Sequence, residues 1–160
     1  MPTRIGNGFD VHQLEAGTPL IIGGVSIPYP KGSKGHSDGD VLFHAIVDAL
    51  LGSLALGDIG MHFPSSDVRW KDTDSRKFLE YGFKQIKEKG YAVDNIDSVI
   101  ILQKPALAPH ILEMRKNIAQ ILSTDLDQIS VKATTTDTLG YIGKGEGIAA
   151  AAVVLISNGS

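Results

Sequence analysis

Asp10 and His12 stand two residues apart in the segment Gly6-Asn7-Gly8-Phe9-Asp10-Val11-His12. If that segment is extended, both side chains project from one face, because successive side chains of a strand alternate. A carboxylate beside an imidazole is either a metal-ligand pair or a polar strand end, and the spacing alone leaves both open. His44 is a third candidate, inside an apolar run that reads as helix. Packing that helix on the strand would gather Asp10, His12 and His44 into an Asp/His/His set. Such a set leaves a fourth tetrahedral position for substrate, as a catalytic zinc site requires. Asp40 and Asp48 flank His44 at i−4 and i+4, and either could orient its ring from behind. The competing reading of His44 is an interior histidine with its hydrogen bonds satisfied.

Three further groupings could handle phosphate or hard cations. His36-Ser37-Asp38-Gly39-Asp40 precedes the helical run. A helix N-terminus presents free N–H groups and a positive dipole end, with His36 and Ser37 at its mouth. Ser37 with Asp40 three residues on also fits a capping box. Gly57-Asp58-Ile59-Gly60, with Phe63-Pro64-Ser65-Ser66-Asp67, is a turn-rich loop of the kind that carries binding residues. Lys132-Ala133-Thr134-Thr135-Thr136-Asp137 offers hydroxyls, amides and a lysine to phosphate, and Asp137 an oxygen to a hard cation. Threonine is equally a favoured strand residue and glycine a hairpin residue. The following Gly143-Lys144-Gly145-Glu146-Gly147 lacks the spacing of a phosphate-binding P-loop.

The elements that must position these groups follow from periodicity. Residues 5–11 and 19–28 read as extended, with Gly23-Gly24 inside the second, and residues 31–35 as a loop. A first helix is expected over 38–56, with Val41, Leu42, Ala45, Ile46, Ala49 and Leu50 at helical spacing. A second covers 75–89, carrying Phe78, Leu79, Phe83 and Ile86 and stopping at Gly90. Residues 99–102 read as a buried strand. A third helix starts near Pro109, with Ile111, Met114, Ile118, Ile121 and Leu122 as its stripe. Strands over 129–135 and 148–156 close the chain, joined through the glycine-rich turn. The order argues for an α+β domain, single over 1–160, with a sheet packed against about three helices. Alanine is a poor strand residue. The run Ala149-Ala150-Ala151-Ala152 therefore points to close packing, by a subunit neighbour or by a helix crossing the sheet.

Composition narrows the class. The chain has 160 residues and a net charge of −3, with no basic stripe of the kind nucleic acid demands. It has no cysteine, so any metal must be held by His, Asp or Glu. No apolar run approaches the ~20 residues of a membrane helix. With no leader-like segment at its start, the expected location is the cytoplasm, or a plastid if a transit peptide has been removed.

Order and spacing together say more than any single motif. G-x-G-F-D-V-H at 6–12, I-I-G-G-V at 21–25, H-S-D-G-D-V-x-x-H at 36–44, D-A-L-L-G at 48–52 and A-L-G-D-I-G at 55–60 occur in sequence. F-P at Phe63, D-S-R at Asp74, P-H at Pro109, V-K-A-T-T-T at Val131 and G-x-G-E-G-I-A at Gly143 complete the run. This pattern resembles the 2-C-methyl-D-erythritol 2,4-cyclodiphosphate synthase family from end to end.

The resemblance implies a reaction of the non-mevalonate isoprenoid route. In it, the 2-phosphate of 4-diphosphocytidyl-2-C-methyl-D-erythritol 2-phosphate attacks the diphosphate phosphorus nearer the sugar alcohol, closing a ring and expelling CMP. It implies a zinc ion on Asp10, His12 and His44, and a magnesium or manganese ion on the diphosphate assisted by Asp137. It gives His36 and Asp137 catalytic roles. Substrate contacts map to Asp10, His12, His36, Ser37, Asp58, Ile59 and Gly60, with Phe63, Pro64, Ser65, Ser66 and Asp67 alongside. The cytidine and phosphate region maps to Leu102, Gln103, Lys104, Pro105, Ala106, Leu107 and Ala108, with Thr134, Thr135 and Thr136. Tyr141 and Lys144 are further contacts. The family assembles as homotrimers with active sites between subunits.

The physics agrees: an internal nucleophile needs only folding, charge neutralisation and positioning, about 2.7 kcal/mol or more per well-placed donor. Asn7, Ser65, Ala106, Lys144 and Asp137 depart from the residues common at those positions, and none is a zinc ligand. Two other classes are consistent with the same residues: a metallophosphoesterase that activates water, and a non-catalytic ligand-binding module.

Overall fold

Described over residues 2–159 by a computed structural model, the chain begins with a long strand, β1 (Thr3–Ala16), that carries both Asp10 and His12. A hairpin of β2 (Leu20–Ile22) and β3 (Val25–Ile27) turns at Gly23-Gly24, and β4 (Lys31–Ser33) pairs with the end of β1. Next come α1 (Val41–Ser53), α2 (Ile59–His62) and α3 (Arg76–Glu88), then β5 (Ala92–Ile101), α4 (Ile111–Leu122) and β6 (Ile129–Thr134). The short α5 (Gly140–Gly143) leads into β7 (Gly147–Ser157). Among the described residues the main sheet has the order β4-β1-β7-β5-β6. All its pairings are antiparallel except β5–β6, which are parallel and joined through α4, as a parallel crossover requires.

The α+β architecture and the three long helices match expectation, with two four-residue helices added. The first helix is shorter than expected, β1 is longer, and three further features differ. Residues 31–33 are a strand, not loop, because they have β1 to pair with. The strand expected at 99–102 begins at Ala92, its alternation interrupted by a register shift between Val93 and Asn95. The last two strands are not neighbours, since β5 lies between them.

Helix α1 is the centre of the core. Val41, Leu42, Phe43, Ala45, Ile46, Val47, Ala49, Leu50 and Leu51 are all buried. A helix apolar all round needs cover on every side, and α1 has it from β1 and β7 below and α3 beside it. Each large side chain so buried contributes about 1.5–3 kcal/mol. Contact with β1 is unusually close: a Cβ on Gly6 would overlap the Ala49 carbonyl, and one on Gly8 the Ala45 carbonyl. Ala152 pairs with Gly8 and Ala150 with Asp10, so both alanines point toward α1. On that face the crossing helix is what the alanines accommodate. Among the described residues the opposite face of the sheet bears no helix, and there Ile5, Phe9, Val11 and Val153 are exposed.

The N-terminus of α1 is also settled. Asp40, not Ser37, is the cap: its carboxylate accepts the Phe43 N–H at 3.0 Å. The same carboxylate takes the N–H groups of Gly23 and Gly24 at 2.9 and 2.8 Å, clipping the β2–β3 turn to the helix. Burial pushes Asp40 up to about 6, against the pull of these three donors. The negative charge capping this helix end is therefore the protein's own, and His36 and Ser37 face the neighbouring cavity instead of capping the helix.

Candidate active site

The close approach of α1 to β1 carries His44 onto the Asp10–His12 face. Asp10 Oδ2 lies 2.7 Å from His12 Nε2 and 3.1 Å from His44 Nδ1. One ligand atom from each residue falls within 4.8 Å of the others, so the expected set is assembled. Burial alone would raise the Asp10 carboxyl, but the hydrogen bonds and positive charge of His12 and His44 outweigh it and hold it at about 2. Burial likewise opposes protonation of His12, and Asp10 overcomes it with help from the Lys34 carbonyl, leaving His12 raised.

The nitrogens on the far side of each ring decide whether the set fits a metal. His12 Nδ1 lies 3.1 Å from the Lys34 carbonyl, which can only accept, so Nδ1 carries a proton. In the neutral ring Nε2 then has a lone pair facing Asp10 Oδ2 at 2.7 Å, so a proton or a cation must stand between the two. His44 Nε2 lies 2.8 Å from Ser75 Oγ and 3.2 Å from Ser37 Oγ, leaving Nδ1 toward Asp10. Two imidazole nitrogens and a carboxylate oxygen, each ring held from behind, fit a divalent cation. Asp40 and Asp48 do not hold His44 from behind as expected. Asp40 serves the β2–β3 turn, and Asp48 accepts the Ile59 N–H at 2.8 Å, tethering the loop after α1.

The cluster lies at one side of a cavity of about 390 Å³. His12, His36, Ser37 and His44 line it together with Ile59, Gly60, Phe63, Pro64, Ser65 and Ser66. Trp70 and Phe78 complete the wall, and neither was singled out as a site residue from the sequence. Asp58 caps α2 through the Met61 N–H at 2.9 Å. Asp67 turns its carboxylate to Arg69 and offers only its carbonyl to His36 Nε2, at 3.1 Å.

The other expected contacts lie elsewhere on the chain. Leu102, Gln103, Lys104, Pro105, Ala106, Leu107, Ala108, Thr134 and Thr135 line a second cavity of about 880 Å³ with Tyr29 and Ile111. Thr136 and Asp137 follow in an exposed turn, tied to this cavity by Gln103 Oε1 accepting the Thr138 N–H at 3.1 Å. Tyr141 lines a third cavity that also reaches His12, and Lys144 ends α5. Lys132, read as a phosphate partner, pairs at 2.8 Å with Asp97 instead. Asp10, Ala150, Ile100 and Ala133 form one row across the sheet. Three strand spacings, about 14 Å, therefore separate β1 from β6 beside the second cavity.

A small α+β domain with a carboxylate and two imidazoles gathered at a cavity wall is a scaffold for metal-assisted chemistry. The chain belongs to the YgbB family, whose model matches residues 3–157. It is 60% identical over 153 residues to the 2-C-methyl-D-erythritol 2,4-cyclodiphosphate synthase of Bacillus velezensis, covering 96% of this chain and 97% of that one. With the synthase of Bacillus subtilis it shares 57% identity over 156 residues, 98% of this chain and 99% of the relative. A solved 2C-methyl-D-erythritol-2,4-cyclodiphosphate synthase in a CDP-bound form superposes with a TM-score of 0.89 at 36% identity, over 96% of this chain and 100% of that one.

Proposed function

We propose that the chain converts 4-diphosphocytidyl-2-C-methyl-D-erythritol 2-phosphate into 2-C-methyl-D-erythritol 2,4-cyclodiphosphate and CMP. The observation that carries the reading is the convergence of Asp10 Oδ2, His12 Nε2 and His44 Nδ1 beside the cavity lined by His36 and Ser37. The names of the bacterial relatives and the CDP-bound neighbour support it. Zinc is the ion we assign to the three side chains, with magnesium or manganese travelling on the diphosphate near Asp137. Bound there, such ions supply Lewis acidity and charge neutralisation at a phosphoryl group.

The chain's own residues do the rest. His36 is held at the cavity wall by the Asp67 carbonyl through Nε2, and the Ser37 hydroxyl beside it can donate to a phosphate oxygen. Phe63, Trp70 and Phe78 give the cavity an apolar wall that excludes water and favours attack by the tethered phosphate. Asp58, Ile59 and Gly60 cradle the methylerythritol unit, while residues 102–108 and 134–136 take the cytidine and its phosphates. In one chain three strand spacings, about 14 Å, separate β1, with Asp10 and His12, from β6 beside the second cavity. We therefore assign the complete site to adjacent copies in a homotrimer, packed through the exposed apolar face around Phe9 and Val153.

Phosphorus NMR on purified protein with the substrate, zinc and magnesium tests the reaction. CMP and the cyclic diphosphate should appear one to one. Metal-loaded protein that leaves the substrate intact contradicts the proposal.

A further inference from the structure

Ser75 occupies the position before α3 where a serine normally caps a helix, yet its side chain makes no capping hydrogen bond. It is fully buried, and its hydroxyl meets side chains far away in sequence, closely at Asp38 and His44 and at 3.5 Å at the Ser37 hydroxyl. Asp38 Oδ1 lies on one side in a very short contact, and His44 Nε2 on the other at 2.8 Å. A hydroxyl has one proton to give. Asp38 also receives the N–H groups of Ser75 at 2.9 Å and Asp40 at 3.0 Å, so it acts as an acceptor throughout. Ser75 must then donate to Asp38 and accept from His44 Nε2–H.

With the proton on Nε2, the neutral ring aims a lone pair from Nδ1 at Asp10 Oδ2, 3.1 Å away. Two acceptors facing each other are reconciled by a cation between them. We infer that Ser75, backed by Asp38, is a positioning residue that locks the His44 ring and tautomer for metal binding. Ser37 is the longer alternative at 3.2 Å, and it lines the cavity, where substrate can engage it. The inference rests on the metal reading above and gives Ser75 and Asp38 roles distinct from those of the three ligands.

Zinc affinity measured by competition with a chromophoric chelator tests it, with the cobalt(II) d–d spectrum as a second readout. For Ser75→Ala, zinc should bind about 10–100-fold more weakly, the usual cost of losing such an outer partner. Its cobalt spectrum should shift, while the unfolding midpoint of the metal-free protein changes little. Ser75→Thr, which keeps the hydroxyl, should restore both the affinity and the spectrum. A Ser75→Ala protein with wild-type zinc affinity and spectrum overturns the inference, whatever its stability. A wild-type protein that binds no zinc is a different failure, because it removes the metal reading itself.

Discussion

At the scale of single residues, the carboxylates around α1, Asp40 buried and the others half-buried, each have a structural task. Asp10 faces two imidazoles, Asp38 holds Ser75, Asp40 clips the β2–β3 turn, and Asp48 tethers Ile59. Asp40 offers the cleanest test. In Asp40→Asn an amide NH₂ replaces one acceptor, so a backbone N–H it served loses its partner. Denaturant unfolding at pH 7 should show a loss of about 1–3 kcal/mol. The pH dependence has a definite sign. Burial raises the Asp40 pKa in the folded state to about 6 from an ordinary 3.8. Its contribution is therefore fully present below pH 3.8 and lost as pH rises through 6. Asp40→Asn should lack that component, giving a flatter stability profile between those values. An equally steep profile in the mutant would show that Asp40 is not its source.

Residue-scale legibility was uneven for physical reasons. The shared face of Asp10 and His12 is written in the two-residue period of a strand. Ser75 was not legible as a partner of His44, because a serine before a helix reads as a cap and only the packing shows where its hydroxyl goes. The same blind spot assigned the cap of α1 to Ser37 and the support of His44 to Asp40 or Asp48.

At the scale of elements, the Asp10–His12–His44 cluster exists because α1 can lie almost in contact with the β1 backbone. Gly6 and Gly8 make the approach possible, and Ala150 and Ala152 extend the shallow floor under the helix. Gly8→Ala should force α1 away from the strand. Overpacking of this kind costs about 1–3 kcal/mol or more, and because His44 adjoins Ala45, zinc content should fall as well. Unchanged unfolding and full zinc content in Gly8→Ala would mean that α1 tolerates the shift and that the approach does not control the site. The long helices were legible from their apolar spacing. The first half of β5 was not, since the irregularity at Val93 and Asn95 breaks the alternation that marks a strand. The strand β4 was not either, because three polar or small residues carry no period and pair only where β1 passes.

At the scale of the whole molecule, the sheet is covered on one face and open on the other. Ile5 is 71% exposed and Phe9 58%, an arrangement that suits burial against further copies of the chain. Light scattering on the wild type should give three times the chain mass. Phe9→Asp, which puts a charge in the middle of that face, should shift the mass toward the monomer and abolish turnover while leaving zinc binding in place. A Phe9→Asp protein that stays trimeric would move the interface elsewhere. The two separate cavities fit the proposal that one chain completes the site of another, since His12 and His44 and the loop at 102–108 line different cavities of a single chain.

The central claim is that a phosphate already attached to the substrate, not water, attacks the diphosphate. Running the reaction in ¹⁸O-labelled water and weighing both products tests it most directly. Ring closure breaks the bond to CMP and forms a new phosphorus–oxygen bond from within the substrate, so neither the CMP nor the cyclic diphosphate should carry label from solvent. One ¹⁸O atom per turnover, in CMP or in an open-chain bisphosphate, would contradict the account and make the protein a metal-dependent phosphoesterase.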